Sequence, residues 1–271
     1  MMPDNELPIF APDLPVMTSF AQNREDVLLR RVLAEVDRGF YVDVGAQSPD
    51  EDSVTRHFYD RGWRGINVEP HPHYFAQLAA ARPRDINIAR AASNRGGRAT
   101  FRFIDGSGLS SLHAEASAIA ARHGFATRED EVELFRLEDV LRTEAPTDIH
   151  FLKVDVEGEE RAVLEGANLR LYRPWIVLVE ATLPTVPTPC WDRFEDVLLA
   201  ARYEPVYFDG LNRWYLRQES LYLKPRFSVP VCVFDHFQTW REVAAATPRP
   251  TAAPTRQPMQ AASFSAAFGR R

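Results

Sequence analysis

Cysteine is almost missing from this chain. Only Cys190 and Cys232 occur among 271 residues, with no C-x-x-C or H-x-x-x-H spacing. That excludes a disulfide framework and the common zinc spacings, and leaves two idle thiols. An excess of positive charge is missing too: the net charge is −6, and four of the arginines fall in the acid-free stretch from about Ala244. Such a chain has no electrostatic footprint for nucleic acid. No apolar run reaches the roughly 18 residues that span a bilayer. The opening MMPDNELPIFAPDLPVM lacks the basic flank and continuous apolar core of a signal peptide. The expectation is a cytoplasmic enzyme or binding protein with no nucleic-acid partner and no integral membrane segment. Glycine is sparse where a dinucleotide-binding protein would concentrate it. The turn after the first strong strand reads G-A-Q-S-P-D, with one glycine where G-x-G-x-x-G has three.

What is present is the material for a sizeable core, since 45% of residues are hydrophobic against 26% charged. Residues 1–17 read as a loose Pro-rich leader, residues 18–243 as a single domain, and residues 244–271 as a disordered Ala/Pro/Thr-rich tail. Within the domain, helix and strand patterns alternate. Leu29, Val32, Leu33 and Val36 mark a helix over 24–36. Strands are expected at 40–44, 65–69, 86–91, 99–104, 149–156 and 175–181, with helices around 54–61, after Pro72, after Gly158 and after Cys190. The last two strands flank D-G-L-N, a hairpin signal in which Asp209, Gly210 and Asn212 are turn residues. Near-continuous apolar strands between helices predict an α/β fold with a mostly parallel sheet covered on both faces. The stretch 106–128 has no clear pattern; a lid over the ligand site there would bring in His113 or His123 as a base, and otherwise both are surface residues. Trp63 and Trp214 read as packing residues.

In such a sheet, ligands bind beyond the carboxyl ends of the strands. The polar residues there are Asp43 with Gly45, Glu69, Ser93, Asp155 with Glu157, and Glu180. Clustered carboxylates repel one another unless a cation or several hydrogen-bond donors sit among them. A pyrophosphate facing Asp50, Glu51 and Asp52 would be repelled, which disfavours a nicotinamide or flavin dinucleotide. A ligand that is cationic at sulfur and nitrogen and carries ribose hydroxyls but no phosphate fits better: S-adenosylmethionine, with Glu69 accepting from the ribose and Asp43 orienting the loop or meeting the amino group. Asp155, Glu157 and Glu180 also offer oxygen ligands for a divalent cation such as Mg²⁺.

Eight blocks strengthen this reading. SFAQNREDVLL, GFYVDVGA, DSVTRHFYDRGWRGINVEP, RPRDIN, GLSSL, IHFLKVDVEGEE, RPWIVLVEA and YFDGLNRWY occur in this order over about residues 19–237, and in that order they resemble the FkbM family of S-adenosylmethionine-dependent methyltransferases. The resemblance implies a class I methyltransferase fold, Rossmann-like, three-layered and built on a seven-stranded, mostly parallel sheet that ends in an antiparallel hairpin. It implies O-methyl transfer to a hydroxyl, most often of a sugar in a surface glycan or glycolipid pathway, with glycosyltransferases as pathway partners. A polyketide or other small natural product as acceptor, and an idle scaffold of the same fold, stay open as alternatives. By position, the resemblance places Asp43, Gly45 and Glu69 at the cofactor, with Ser53 near its methionine carboxylate. It places Asp155 and Glu157 beside the transferred methyl group, Asp155 as base or acceptor-orienting group. The chain departs from its relatives at Gln47, where Asn is common, and at VPVCVFD over 229–235.

Overall fold

The computed structural model describes residues 7–11, 14–104, 110, 112, 126–184 and 186–246. The expected tail beyond 246, most of the 106–128 stretch with His113 and His123, and the first six residues of the leader lie outside the described residues.

The central layer is built by the apolar runs. β2 (Phe40–Val44), β3 (Arg64–Val68), β4 (Ile86–Ile88), β8 (Phe151–Val154) and β9 (Ile176–Glu180) pair in parallel. The hairpin β10 (Tyr203–Phe208) and β11 (Asn212–Arg217) joins antiparallel to β9. The result is a seven-stranded mixed sheet in the order β10-β11-β9-β8-β2-β3-β4.

Alternation along each strand sends side chains to two separate cores. Val42, Val44, Leu152, Val154, Val177 and Val179 meet helices α4 (Leu137–Glu144), α5 (Glu160–Gly166) and α6 (Glu195–Ala200) through Val140, Leu141, Val163, Leu164 and Leu198. Tyr41, Phe151, Ile176, Leu178 and Trp214 face the other way, against Leu28, Leu29 and Val32 of α1 (Glu25–Val32) and Phe58 of α2 (Arg56–Asp60). Both faces are therefore covered, which is why these strands carry so few polar residues. Trp63 and Trp214 are buried in the second core. Helix α3 (Pro72–Ala81) begins on Pro72, where a first turn tolerates proline.

Two expectations about strands are corrected. The single strand read over 86–91 is two strands: β4 stays in the main sheet, while β5 (Ala91–Ser93) leaves it. The strand expected at 99–104 is present, starting at Gly97, but it lies outside the main sheet. As β6 (Gly97–Ile104) it pairs with β7 (Thr127–Arg136), and with β5 they form a separate three-stranded sheet in the order β5-β7-β6. Apolar cover from Phe101, Phe103, Val132 and Leu134 holds this small sheet on one side. Cross-strand ion pairs Arg102–Glu129 (2.9 Å) and Arg98–Glu131 (3.5 Å) lie on its outer face.

The two ends of the described chain are tied together. β1 (Met17–Ser19) pairs in parallel with β12 (Phe237–Thr239), which leads into α7 (Trp240–Ala246). Arg31 meets Asp235 at 3.1 Å, and the Arg30 guanidinium donates to the Pro15 carbonyl. No helix among the described residues is long and apolar enough to cross a membrane.

Candidate active site

The strand order fixes which groups share a rim. Leu211 sits just before β11, whose Asn212 is paired with Glu180 at the end of β9. Asp155 follows β8, Gly45 follows β2 and Glu69 follows β3. Neighbouring strands lie about 4.8 Å apart, so Glu69 and Asp155 are separated by about 10 Å along the rim, with Gly45 between them. A cavity of about 1290 Å³ opens over this line, walled by the ends of these strands and by α3.

Gly45 shapes the floor. Its φ is +82°, and a Cβ there would lie 1.8 Å from the backbone carbonyl of Asp155. Only glycine permits the turn and the close approach of the two strand ends. The turn is pinned by the amides of Gly45 and Ala46, both donating to the Val68 carbonyl at 3.0 and 3.2 Å.

Beneath the turn lies Lys153, buried in β8. Its Nζ is 3.4 Å from Asp43 Oδ1 and 3.2 Å from Asp155 Oδ2, and it donates to the Gly45 carbonyl at 3.2 Å. Burial works against its charge, but Asp155 and Asp43 outweigh that and hold the ammonium above its ordinary range. Asp43 is itself almost fully buried and also accepts from Thr55 Oγ1 at 3.3 Å. Burial raises its pKa, Lys153 lowers it and Asp155 raises it again, with a net upward shift.

Glu69 sits on the cavity wall. Its two oxygens accept from the backbone amides of His71 at 2.7 Å and Gln47 at 2.8 Å. Those bonds fix the carboxylate plane and stabilise its charge, yet burial dominates and pushes its pKa up to about 7. On the other side of Gly45, Asp155, Glu157 and Glu180 bring one carboxylate oxygen each to within 4.8 Å of one another. Glu157 is pushed up to about 8 by burial and then by Asp155 and Glu160. Glu180 is held well above the carboxylate range by burial and then by Asp155 and Glu157. The three oxygens converge closely enough to serve as ligands to one divalent cation.

The family comparison follows from these residues. The profile of the "Methyltransferase FkbM domain" matches residues 43–205, more than half of the chain. It spans the glycine turn, Glu69 and the D-V-E-G segment. The chain belongs to the FkbM methyltransferase family. Among solved structures it is similar to a methyltransferase FkbM from Methylobacillus flagellatus KT at 16% identity and a TM-score of 0.44, over 66% of this chain and 44% of that one. The match thus spans less than half of that protein's length. No curated protein matches the sequence.

Within this FkbM chain, not every expected residue reaches the cavity. Gly45, Glu69, Asp155, Glu157 and Glu180 line it, whereas Asp43, Ser53 and Ser93 stand behind its wall. Ser53 is buried and its Oγ accepts from Arg82 Nη2 at 3.2 Å. Ser93 is held in β5, whose carbonyl packs so tightly on α5 that a Cβ at Gly166 would sit 2.0 Å from it.

Several supporting residues carry no obvious signal in the sequence. Arg82 is buried and donates to the Pro49 carbonyl at 2.6 Å as well as to Ser53, so it anchors the 48–55 loop from below. Asp85 accepts from Tyr41 OH, the Gly65 amide and Asn67 Nδ2, which gives the R-P-R-D-I-N block a structural role. Asn212 Nδ2 donates to Glu25 Oε1 at 2.8 Å and Asp209 accepts from Trp214 Nε1 at 2.7 Å, tying the N-terminal helix to the hairpin turn at the cavity edge. The clue for Lys153 was one lysine inside an otherwise apolar strand.

Proposed function

We propose that this protein is an S-adenosylmethionine-dependent O-methyltransferase acting on a hydroxyl, most simply that of a sugar in a surface glycan or glycolipid. The observation that carries the reading is the placement of Glu69 and Asp155 on opposite sides of the Gly45 turn in one cavity of a methyltransferase-family chain. The residues present fit the cofactor. Glu69 is fixed on the cavity wall by two amides, and an acidic wall suits a sulfonium and an ammonium. The resemblance to class I methyltransferases, with Glu69 after the second strand of the parallel set, supports the same assignment.

Bound S-adenosylmethionine supplies an activated methyl carbon whose bonding pair to sulfur leaves with the sulfur. The protein's part is alignment and proton removal. Glu69, already fixed by two amides, accepts from the ribose hydroxyls with its remaining lone pairs. The Gly45 turn fixes the cofactor over the rim, and Asp43 acts beneath it through Lys153. Alignment of acceptor oxygen with methyl carbon can lower a barrier by roughly 7–11 kcal/mol in favourable cases. Asp155 takes the hydroxyl proton as the oxygen bonds to carbon, and Glu157 and Glu180 orient the acceptor. Were Mg²⁺ bound, these three carboxyls would hold it, and Asp155 would then not be the proton acceptor.

The test is isothermal titration of the protein with S-adenosylmethionine, with and without Mg²⁺, alongside Glu69→Ala. Micromolar binding in the wild type, weakened at least tenfold in the variant, is expected. A heat signal that requires Mg²⁺ would assign the acid triad to a cation. No binding in either condition would overturn the cofactor assignment.

A further inference from the structure

The cavity is chemically divided along the strand order. On the Glu69 side of Asp155 its wall is mixed, with Glu69, His71 and Gln77 standing among Val68, Tyr74 and Phe101. Past Glu180, towards β11, the wall changes character: Leu183, Pro184, Val186, Pro187 and Leu211 line it, with Gln22 at the edge. From Thr182 to Pro187, and at Gly210 and Leu211, no described lining residue is ionisable. The two ends of the loop that carries four of them are tied together. A bridge between Thr182 and Pro189 closes it, and the Leu183 amide donates to the Thr188 carbonyl at 2.9 Å. Val186 lines the cavity and is 45% exposed.

Charge gives a second, independent constraint. Lys153 is the one lysine or arginine among the described lining residues, and it is committed to Asp43 and Asp155. Phosphate groups are recognised by arginine, lysine or helix amides aimed at them. Among the described lining residues the acceptor half offers none of the first two, and an acid triad that carries no cation repels a phosphate.

We propose that the acceptor is a neutral hydroxyl compound with an apolar substituent beside the methylated group, of the alkyl glycoside or glycolipid-headgroup class, and that phosphorylated acceptors such as sugar phosphates and nucleotide sugars are rejected. The apolar wall from Leu183 to Leu211 holds the substituent and directs the adjoining hydroxyl towards Asp155. This rests on the methyltransferase reading and narrows its substrate.

Calorimetry on protein saturated with unreactive S-adenosylhomocysteine tests it, using three probes: octyl glucoside below its micellar concentration, methyl glucoside and glucose 1-phosphate. Octyl glucoside is expected to bind at least tenfold more tightly than methyl glucoside, and glucose 1-phosphate to give no saturable heat. Leu183→Asp and Leu211→Asp should each remove the octyl preference while leaving S-adenosylhomocysteine affinity within twofold, which also shows that the variants are folded. Equal affinity for the two glycosides, tighter binding of the phosphate, or an undiminished preference in both variants would overturn the proposal. Failure of wild-type protein to bind S-adenosylhomocysteine would instead count against the methyltransferase reading itself.

Discussion

The carbonyl of Asp155 occupies the place where Gly45 would carry a Cβ, 1.8 Å from that atom's ideal position. The turn of one strand and the end of its neighbour are thus fitted backbone to backbone. A methyl group there has no flexible side chain to displace, and the φ of +82° adds strain of its own. Gly45→Ala should destabilise the fold by about 2–4 kcal/mol and weaken S-adenosylmethionine binding by more than tenfold. Urea denaturation and calorimetry read the two effects separately.

Lys153 offers a second test. Removing its ammonium leaves Asp43 buried without its cation, a loss of about 3–5 kcal/mol in comparable buried pairs. Lys153→Met should therefore lower the urea midpoint strongly, and Asp43→Asn in the same chain should recover part of that loss. A double-mutant cycle whose coupling energy is near zero would show that the two side chains do not depend on each other.

The buried acids make stability depend on pH in a defined direction. Glu25 and Glu69 move from 4.5 up to about 7, and Asp26 from 3.8 up to about 6, in each case chiefly by burial. Their folded forms hold protons more tightly than the unfolded chain does. The stability they contribute is complete below their ordinary values and is lost as pH rises through the folded ones. His57, lowered to about 4 by burial and then by Arg30 and Arg61, works oppositely, but only below 6.5. The sum predicts a melting temperature that falls by about 5 °C or more between pH 5.5 and 8. Glu69→Gln should flatten part of that slope.

Asp155→Asn separates chemistry from binding. It should lower kcat by about 10²- to 10⁴-fold while leaving S-adenosylmethionine affinity within threefold. A variant with unchanged turnover would move the proton-accepting role elsewhere on the rim.

The legible parts of this chain were those in which one residue pattern dictates one structure. Phe40–Val44 and Ile176–Glu180 could only be buried strands, and D-G-L-N between two apolar runs could only be a turn. The acids on the rim were visible because each stands at the end of such a run. Thr127–Arg136 was not visible. Its first five residues, T-R-E-D-E, are polar, and what makes them a strand is the partner Gly97–Ile104 with its arginines, a relation no local window contains. The family resemblance places Ser53 near the methionine carboxylate; what no local window contains is Arg82, which donates to its buried hydroxyl. The second layer of the site is therefore long-range: Lys153 reaches Asp43 across 110 positions of chain, a separation that hides its purpose from any motif.

The parallel pairing of Met17–Ser19 with Phe237–Thr239 has a consequence for how the protein comes into being. On the ribosome, the strand Met17–Ser19 must wait for a partner synthesised more than two hundred residues later. Until then the Ser19 and Asp26 end of the first helix lacks its neighbouring strand, and Arg31 lacks Asp235. Nascent chains stalled before residue 237 should expose the first helix to protease, and chains released after residue 246 should protect it.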